Sequence, residues 1–228
     1  SHLAQNLEQE LLATYQQNSQ QEYKLSPESM AERFLRNQAL SYLMYQHEQG
    51  ELLAVQQYHS ANNMTDQLAA FKYLVHHEAD AAAEVIEAFY QQWQQENLVL
   101  DKWFTVQATA PGILAHASGE ARVKKLFEHD DFDIRNPNRV RSLLGAFCSS
   151  NPLSFHDAGG FGYKLLAEYI EKIDAINPQI ASRLCVPLTR WKRFNETRQQ
   201  LMKYELQRLI SLPGLSKDVS ELVEKSLK

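Results

Sequence analysis

Two histidine–glutamate pairs in the chain could belong to a hydrolytic zinc site. In a helical His-Glu-x-x-His motif, both histidines bind zinc from one face of the helix and the glutamate activates a water molecule. The pair that begins at His47 has Glu51 where the second histidine must stand, and the pair that begins at His77 has Ala81 there. Because neither pair can hold zinc in this way, we predict no catalytic residue and no metal ligand in this chain.

Two other histidines stand beside residues that could support chemistry. His129 precedes the acidic stretch 130–133, which could bind a divalent ion weakly, although a solvated acidic loop is the favoured interpretation. His156 could act with Ser154 or Asp157 as a nucleophile and its base. A structural histidine that caps or bridges helices is the favoured interpretation of His156.

The cysteines and the glycine-rich segment carry weaker signals. Cys148 and Cys185 lack the close spacing of a metal-binding or redox pair, and we interpret them as core thiols in a reducing compartment. The segment 159–162 has three glycines and opens a predicted helix, whose free N–H groups could bind phosphate. Since it lacks the lysine of a phosphate-binding loop and a preceding strand, we interpret it as a turn.

The segment 190–198 combines four cationic side chains with two aromatic ones, a pattern typical of nucleic-acid-binding proteins. The whole chain, however, has 23 Lys and Arg against 28 Asp and Glu, a net charge of −5. This balance argues against nucleic acid, so we predict a solvated basic face with two core aromatic rings. The residues concerned are Arg190, Lys192, Arg193 and Arg198, with Trp191 and Phe194.

Charge is distributed unevenly between the two parts of the chain. Residues 1–100 contain 4 basic and 13 acidic residues, whereas residues 101–228 contain 19 basic and 15 acidic residues. The second part therefore has the surface better suited to an anionic group such as a carboxylate.

Length and composition indicate a globular helical protein. The chain has 228 residues, 44% of them hydrophobic and 22% charged, with only 8 Gly and 7 Pro. It lacks the long apolar run of a membrane helix and shows no convincing strand alternation. We predict an all-α fold, an irregular α-α superhelix or solenoid of ten or more short helices of the HEAT/armadillo type. Residues 1–228 are expected to form a single helical domain.

Capping residues predict where several helices begin. Ser26 precedes a proline and predicts a helix that extends to about residue 45. Six apolar residues of this segment are predicted to face inward: Met30, Phe34, Leu35, Leu40, Leu43 and Met44. A short helix is predicted from Leu52 to Tyr58, and Thr65 and Asp80 are the predicted caps of the two helices after it. The later helices are expected at about 161–176, 178–186, 195–211 and 216–227, with Asn195 and Ser216 as the caps of the last two.

The segment 135–147 is the best-defined stretch of the chain. Asn136 is predicted to cap a helix whose first position is occupied by Pro137. Four apolar residues at helical spacing predict one buried face: Val140, Leu143, Leu144 and Phe147. Arg139 and Arg141 are about 200° apart on such a helix, so the two cannot share a face.

This segment also resembles a signature of the bacterial aminopeptidase N group of M1 zinc aminopeptidases, in the far C-terminal helical domain of those enzymes. Further matching motifs occur in the family's order across most of the chain. They are Ala-Asn-Asn-Met-Thr-Asp at 61–66, Asp-Lys-Trp-Phe at 101–104, Asn151-Pro152 with Phe155-His156, and Asn177 to Leu184. Each motif alone is weak, but together they are specific to this group.

The resemblance implies a role for Arg141, Gln179 and Arg183. By their positions within the matched motifs, these three are similar to family residues that line the route of peptide substrates above the active site. Gln179 and Arg183 are four residues apart and share a helix face. An arginine can fork onto a carboxylate or onto carbonyl oxygens. Salt bridges between helices, for example with Glu168 or Asp174, are the alternative that spacing alone favours.

The resemblance implies that the chain is the C-terminal part of the C-terminal domain of a larger cytoplasmic aminopeptidase. Such a domain covers the zinc site of an earlier domain and lines the access route of peptides, so this fragment is predicted to be inactive alone and to hold no cofactor. Its expected partners are the missing domains of the same chain and peptide substrates, with no nucleic acid and no membrane. The alternative is a standalone helical-repeat module that binds peptides or proteins.

Overall fold

The structure is a computed structural model that describes residues 2–19, 22–46, 48–112 and 119–228. Within these ranges the chain folds into more than ten helices and no strand, which confirms the predicted all-α fold class. The chain divides into two compact units, Ser1–Asn97 and Leu98–Lys228. The single domain over residues 1–228 stays a prediction.

The first unit is built from helices packed on their neighbours in sequence. Helix α2 packs on α3, α4 on α5, and α5 on α6. A 3₁₀ turn, Met44–Gln46, follows α3. The helices are α1 (His2–Asn6), α2 (Glu8–Gln17), α3 (Pro27–Leu43), α4 (Glu48–Ser60), α5 (Met64–His76) and α6 (Ala82–Trp93).

The burial of α3 agrees with the prediction in part, since Leu40, Leu43 and the following Met44 are buried, but the first part of the helix differs. The helix begins as expected, with Ser26 as its cap. Three apolar side chains predicted to face inward are instead exposed: Met30 (57%), Phe34 (65%) and Leu35 (47%). Arg33 and Asn37 are buried in their place. Both have partners, because Arg33 Nη1 donates to the carbonyl of Lys24 (3.2 Å) and Asn37 Nδ2 donates to Asp66 Oδ1 (2.8 Å).

The caps of α5 and α6 also differ from the prediction. Asn63, and not Thr65, caps α5, since its Oδ1 accepts from the N–H of Asp66 at 3.0 Å and its backbone is extended. Helix α6 starts after Ala81, which makes no side-chain capping bond, so Asp80 is not its cap. Each predicted residue has a capping side chain but lies one or two positions away from the true helix boundary.

A buried carboxylate accounts for the motif at 61–66. Asp66 is 3% exposed and accepts hydrogen bonds from Asn37 Nδ2 (2.8 Å) and Asn63 Nδ2 (3.0 Å). Arg36 Nη1 lies 3.6 Å from Asp66 Oδ2, the oxygen that accepts from Asn63. Gln57 Nε2 donates to Asn37 Oδ1 and to the Asp66 carbonyl, which connects three helices. Because a buried charge is costly without such partners, loss of any of them should destabilise the first unit.

The second unit holds the helices from α7 onward. Helix α12 packs on α13 and α15, and α16 contacts both of these. The later helices and the caps Asn195 and Ser216 agree with the prediction. The helices are α7 (Asn97–Thr109), α8 (Gly119–Phe127), α9 (Pro137–Val140), α10 (Ala146–Ser150), α11 (Pro152–Phe155), α12 (Phe161–Asp174), α13 (Pro178–Leu184), α14 (Val186–Thr189), α15 (Glu196–Ile210) and α16 (Lys217–Leu227).

The glycine-rich segment 159–162 is a turn, as predicted. Gly160 precedes α12 with φ of 74°, in the left-handed region that favours glycine. A Cβ on Gly162 would lie 2.8 Å from the Cα of Phe155, so this position allows α11 and α12 to approach closely. The segment therefore has a structural explanation that needs no bound phosphate.

Candidate functional site

The segment 136–150 forms the centre of the candidate site, and its first turn follows the prediction. The Asn136 side chain accepts from the N–H groups of Asn138 (3.0 Å) and Arg139 (3.3 Å), and Pro137 occupies the first helical position. The predicted apolar face is fully buried; it consists of Val140, Leu143, Leu144 and Phe147, each at most 1% exposed.

Arg139 is buried and attaches this segment to α7. Its Nε donates to Asp101 Oδ1 at 2.7 Å and its Nη1 donates to the Asp131 carbonyl at 2.5 Å. Its guanidinium lies 4.9 Å from the centre of the Phe104 ring. The Asp-Lys-Trp-Phe motif at 101–104 is thus explained by contacts with Arg139, which fix the position of the residues that follow.

A π-helical turn, Arg141–Gly145, separates α9 from α10. The Thr105 hydroxyl of α7 donates to the Ser142 carbonyl within this turn at 3.0 Å. Isolated π-turns occur frequently at functional sites. The apolar spacing predicted a continuous α-helix here, so the π-turn is a difference from the prediction.

Arg141 is exposed at the start of the π-turn, on a different side from buried Arg139, in agreement with the predicted 200° separation. Its Nη1 donates to Asn138 Oδ1 at 3.0 Å. A Cβ on Gly145 would lie 3.8 Å from the Arg141 Cβ, so Arg141 stands directly beside Gly145. This matters because Gly145 lines a cavity.

The cavity has a volume of about 400 Å³ and lies wholly within the second unit. We call it the arginine cavity. Its walls come from the central segment, α11, α13, α14 and the 3₁₀ turn Trp191–Arg193. The lining residues are Gly145, Cys148, Ser149, Phe155, His156, Arg183, Leu184, Val186, Pro187, Arg190, Arg193 and Phe194.

The lining of the arginine cavity is strongly cationic. It includes Arg183, Arg190 and Arg193 and neither Asp nor Glu. None of these arginines makes an ion pair within the part of the chain that the structure describes. The carboxylates named as alternatives have other neighbours, since Asp174 accepts from the N–H of Ser216 (2.7 Å) and Glu168 lies 3.9 Å from Lys164.

Gln179 and Arg183 both lie on α13, which begins at Pro178 after the cap Asn177. Both side chains are exposed, and they are one turn apart on the same side of the helix. Arg183 lines the arginine cavity, whereas Gln179 does not. Of the three predicted site residues, Arg183 therefore lines the cavity and Arg141 lies next to Gly145 in its wall. Gln179 lies outside the cavity, on the same face of α13 as Arg183.

His156 lines the same cavity and bridges helices. Its Nδ1 lies 2.9 Å from the Tyr163 hydroxyl, and its ring packs on Phe194 with 4.2 Å between centroids. Burial, and secondarily the charge of Arg198, lowers the pKa of His156. These contacts agree with the structural interpretation of this histidine.

The basic segment 190–198 agrees only in part with the prediction of a solvated basic face and two core aromatic rings. Trp191 is buried and its Nε1 donates to the Ser226 carbonyl at 3.2 Å, while Phe194 is half-buried. Arg198 Nε donates to the His156 carbonyl at 2.8 Å. The sequence did not indicate that Arg190 and Arg193 line a cavity.

Neither cysteine lies in an environment that favours a reactive thiolate. Cys148 and Cys185 are free and buried, as predicted for core thiols. Burial raises the pKa of both thiols, that of Cys185 to about 12 with a further contribution from Asp174. A thiolate is therefore disfavoured at either position.

His129 belongs to an aromatic cluster beside the acidic stretch. Its ring centroid lies 5.0 Å from that of Trp103 and 5.6 Å from that of Phe104. Its Nδ1 accepts from the N–H of Asp131 at 3.2 Å. In the described ranges, no group of three or more His, Cys, Asp or Glu side chains is arranged to hold a metal ion. His47 lies outside those ranges.

A family model for ARM repeats, described as a domain of unknown function (DUF3458_C), matches residues 1–228. The chain belongs to the DUF3458_C family. This assignment agrees with the predicted armadillo-like helical repeats.

Proteins similar to this ARM-repeat domain are bacterial aminopeptidases. The chain is 42% identical over 226 residues to aminopeptidase N of Escherichia coli (strain K12), which is 99% of this chain and 26% of that protein. It is 37% identical over 230 residues to aminopeptidase N of Haemophilus influenzae, which is 100% of this chain and 26% of that protein. The resemblance to bacterial aminopeptidase N is thereby confirmed, and the chain is homologous to the C-terminal region of those enzymes.

A solved structure supports the same assignment. The crystal structure of Legionella pneumophila aminopeptidase A in complex with aspartic acid matches with a TM-score of 0.86 and 31% identity. The match covers 99% of this chain and 27% of that one. The DUF3458_C domain therefore spans about a quarter of the length of these relatives, and other domains of the same chain are implied.

None of the helices in the described ranges combines the length and hydropathy needed to cross a bilayer. The residues described in this chain do not provide a ligand set for zinc, so we assign them no step of metal-assisted hydrolysis.

Proposed function

We propose that the chain is the non-catalytic C-terminal domain of a cytoplasmic M1 zinc aminopeptidase, where it covers the active site and lines the route of peptides. The parent reaction would be removal of an N-terminal amino acid by zinc-activated water. In this proposal zinc and the general base belong to another domain. The present domain contributes substrate positioning and exclusion of water.

The observation that carries the proposal is the set of exposed side chains at the arginine cavity. Arg183 lines it, Arg141 lies beside its wall at Gly145, and Gln179 extends the same face of α13. Among the described residues, neither Arg141 nor Arg183 has a carboxylate partner, and exposed cations of this kind are suited to peptide carbonyl and carboxylate oxygens. We assign substrate access and binding to Arg141, Gln179 and Arg183.

An exposed apolar surface on the first unit supports the association with other domains. Met30 and Phe34 are one helical turn apart on α3, Leu35 adjoins them, and Leu25 just before the helix is 81% exposed. Apolar patches of this kind usually mark an interface. Because the matched relatives are about four times longer than this chain, we propose that the remainder of the parent chain covers this surface.

The access role can be tested in the full-length parent enzyme. Arg141→Ala and Arg183→Ala are expected to raise KM for peptides of several residues more than for an amino acid amide, with unchanged zinc content. Arg135→Ala is the matched control, because Arg135 is an exposed arginine that pairs with Asp133 and does not line the cavity. Kinetics equal to wild type across a peptide length series, in both variants, would overturn the proposal.

A further inference from the structure

A second cavity, with a volume of about 310 Å³, lies wholly within the first unit. We call it the tyrosine pocket, because Tyr42, Tyr45 and Tyr73 line it, together with side chains from the C-terminal parts of α3 and α5. Among the described residues, every lining side chain can form a hydrogen bond, and none is acidic or aliphatic. From this lining we propose that the tyrosine pocket binds the phosphate group of a small phosphate monoester that also has a flat ring.

Lys72 supplies the positive charge of the pocket. The first 100 residues contain only 4 basic residues against 13 acidic ones. Lys72 is exposed and has no ion pair or hydrogen bond with any residue that the structure describes. An unpaired cation in an otherwise acidic unit is suited to an anionic ligand. The other three basic residues each have a partner within 3.8 Å, and they are Lys24, Arg33 and Arg36.

Tyrosine hydroxyls are the other donors of the pocket. Tyr42 and Tyr45 are 36% and 50% exposed, and their hydroxyls donate to no residue in the described ranges. Burial raises the pKa of Tyr73, with a smaller opposing effect from a hydrogen bond with Ser41, so this hydroxyl keeps its proton well above neutral pH. An ammonium and separate hydroxyls donate from several directions, which matches the three outer oxygens of a phosphate monoester. A carboxylate is matched better by the planar fork of an arginine, which is absent from the described lining.

Aromatic rings form much of the remaining wall. The rings of Tyr45 and His77 are held edge to face, with 4.8 Å between centroids. Such rings can stack on a flat group of the ligand. A volume of about 310 Å³ lies at the lower end of the range for pockets that bind small molecules. The pocket therefore suits a phosphate joined to one ring better than a bare inorganic phosphate, which would leave the aromatic wall unused.

An unusual backbone conformation ends α5 beside the pocket. Glu78, directly after His77, has a φ of 50° and is the one non-glycine residue with positive φ in the described ranges. Its N–H donates to the Val75 carbonyl at 3.3 Å, and the N–H of Ala79 donates to the Leu74 carbonyl at 3.1 Å. Hydrogen-bonded carbonyls weaken the negative end of the helix, which would otherwise repel an anion. Non-glycine residues in this conformation are strained and cluster at functional sites.

This inference is independent of the proposed access role, because the tyrosine pocket lies in the first unit and the arginine cavity lies in the second. It assigns the charge of the phosphate to Lys72 and the phosphate oxygens to the tyrosine hydroxyls. The arginine cavity can also attract anions, so the measurement has to report on the tyrosine pocket alone.

The test is an NMR titration of the 228-residue chain, followed by the ring C–H signals of His76 and His77, which line the pocket. The probes are phenyl phosphate, inorganic phosphate and benzyl alcohol at equal ionic strength and about pH 8, where both phosphates are dianions. We expect phenyl phosphate to bind about tenfold more tightly than either other probe, since each of those lacks one of the two kinds of contact. If benzyl alcohol or inorganic phosphate binds as tightly as phenyl phosphate, the inference is wrong.

Variants test the assignment of residues. Lys72→Gln should weaken binding of phenyl phosphate by about tenfold and leave that of benzyl alcohol unchanged. Lys24→Gln is the matched control, since Lys24 is an exposed lysine of the same unit that pairs with Glu22 and does not line the pocket. Tyr45→Phe, which removes one hydroxyl, should weaken binding by a smaller factor and decides the assignment if Lys72→Gln does not fold. Wild-type affinity in a folded Lys72→Gln or Tyr45→Phe variant would overturn the assignment of that residue.

The full-length parent distinguishes a ligand site from a contact between domains. The part of phenyl phosphate binding that depends on Lys72 can be measured there by calorimetry on wild type and Lys72→Gln. We expect the same Lys72-dependent affinity as in the 228-residue chain. Loss of this binding in the parent would show that another domain covers the tyrosine pocket, and would overturn its assignment to a small molecule.

Discussion

The buried pair between Arg139 and Asp101 should be the most sensitive point of the second unit. Arg139→Ala removes a guanidinium that donates to Asp101 at 2.7 Å and to the Asp131 carbonyl. The side chains of Arg139 and Asp101 are only 3% and 15% exposed. After the substitution, water can replace few of these contacts, and the Asp101 charge loses its partner.

The magnitude follows from that burial. Removing one partner of a buried ion pair destabilises a protein by about 3–5 kcal/mol, because the remaining charge is left desolvated. The contact of the guanidinium with Phe104, 4.9 Å from the ring centre, is lost as well. We therefore expect Arg139→Ala to reduce the free energy of unfolding by about 3–5 kcal/mol.

The assay is equilibrium unfolding in urea, followed by tryptophan fluorescence, since Trp103 packs against Phe104. Arg135→Ala is the control, because Arg135 forms a similar pair with Asp133 at 3.0 Å, but with side chains 77% and 47% exposed. Water screens an exposed pair, so the control should unfold within error of wild type. Similar losses in both variants would show that burial does not determine the strength of the Arg139 pair.

Three further changes test other parts of the second unit. Asn136→Ala removes the cap acceptor and should cost about 0.5–2 kcal/mol of stability; an unchanged urea midpoint would show that the cap contributes little. Gly162→Ala should reduce the free energy of unfolding by about 1–3 kcal/mol, because the added Cβ would press on the backbone of Phe155. Gly145→Ala is the control, since its added Cβ would meet its nearest neighbour only at 3.8 Å and the variant should melt close to wild type. Equal melting temperatures for the two variants would contradict this reasoning. Burial lowers the pKa of His156 below its usual 6.5, so the unfolded chain binds a proton at a higher pH than the folded chain and this group reduces stability as pH falls below about 6.5. His156→Gln should therefore flatten the dependence of unfolding free energy on pH between about pH 7 and pH 5, and parallel curves for variant and wild type would refute the assignment.

The central segment could be predicted because its structure depends on nearby residues. The Asn136 side chain bonds to N–H groups two and three residues later, and Pro137 sets the first helical position. The burial of Val140 and Phe147 follows from helical periodicity. Interactions of this range are visible in a short window of sequence.

The burial of the first part of α3 could not be predicted from such a window, whereas that of Leu40 and Leu43 could. Its polar residues are buried because their partners lie elsewhere, with Asp66 located 29 positions from Asn37 and Lys24 nine positions from Arg33. Periodicity alone predicts that apolar residues face inward. Nothing in the segment itself indicates that two polar side chains would be satisfied in the interior.

The candidate site was predicted only in part for a similar reason. The resemblance to aminopeptidase N implies Arg141, Gln179 and Arg183, whereas the sequence alone predicts a solvated surface for Arg190 and Arg193. Their position depends on how α13, α14 and the following turn pack against the central segment. Convergence of residues from separate helices is a tertiary property that residue spacing does not reveal.

The π-turn Arg141–Gly145 gives the site an unusual tolerance of a change in chain length. A π-turn holds about one residue more than an α-helical turn. Deletion of a single codon there would remove the extra residue and restore a regular α-helix, so Cys148 and Ser149 would keep nearly the same orientation relative to Asn136. The helix cap and the wall of the arginine cavity would both survive. A one-residue difference in length between related genes at this point is therefore compatible with an unchanged cavity.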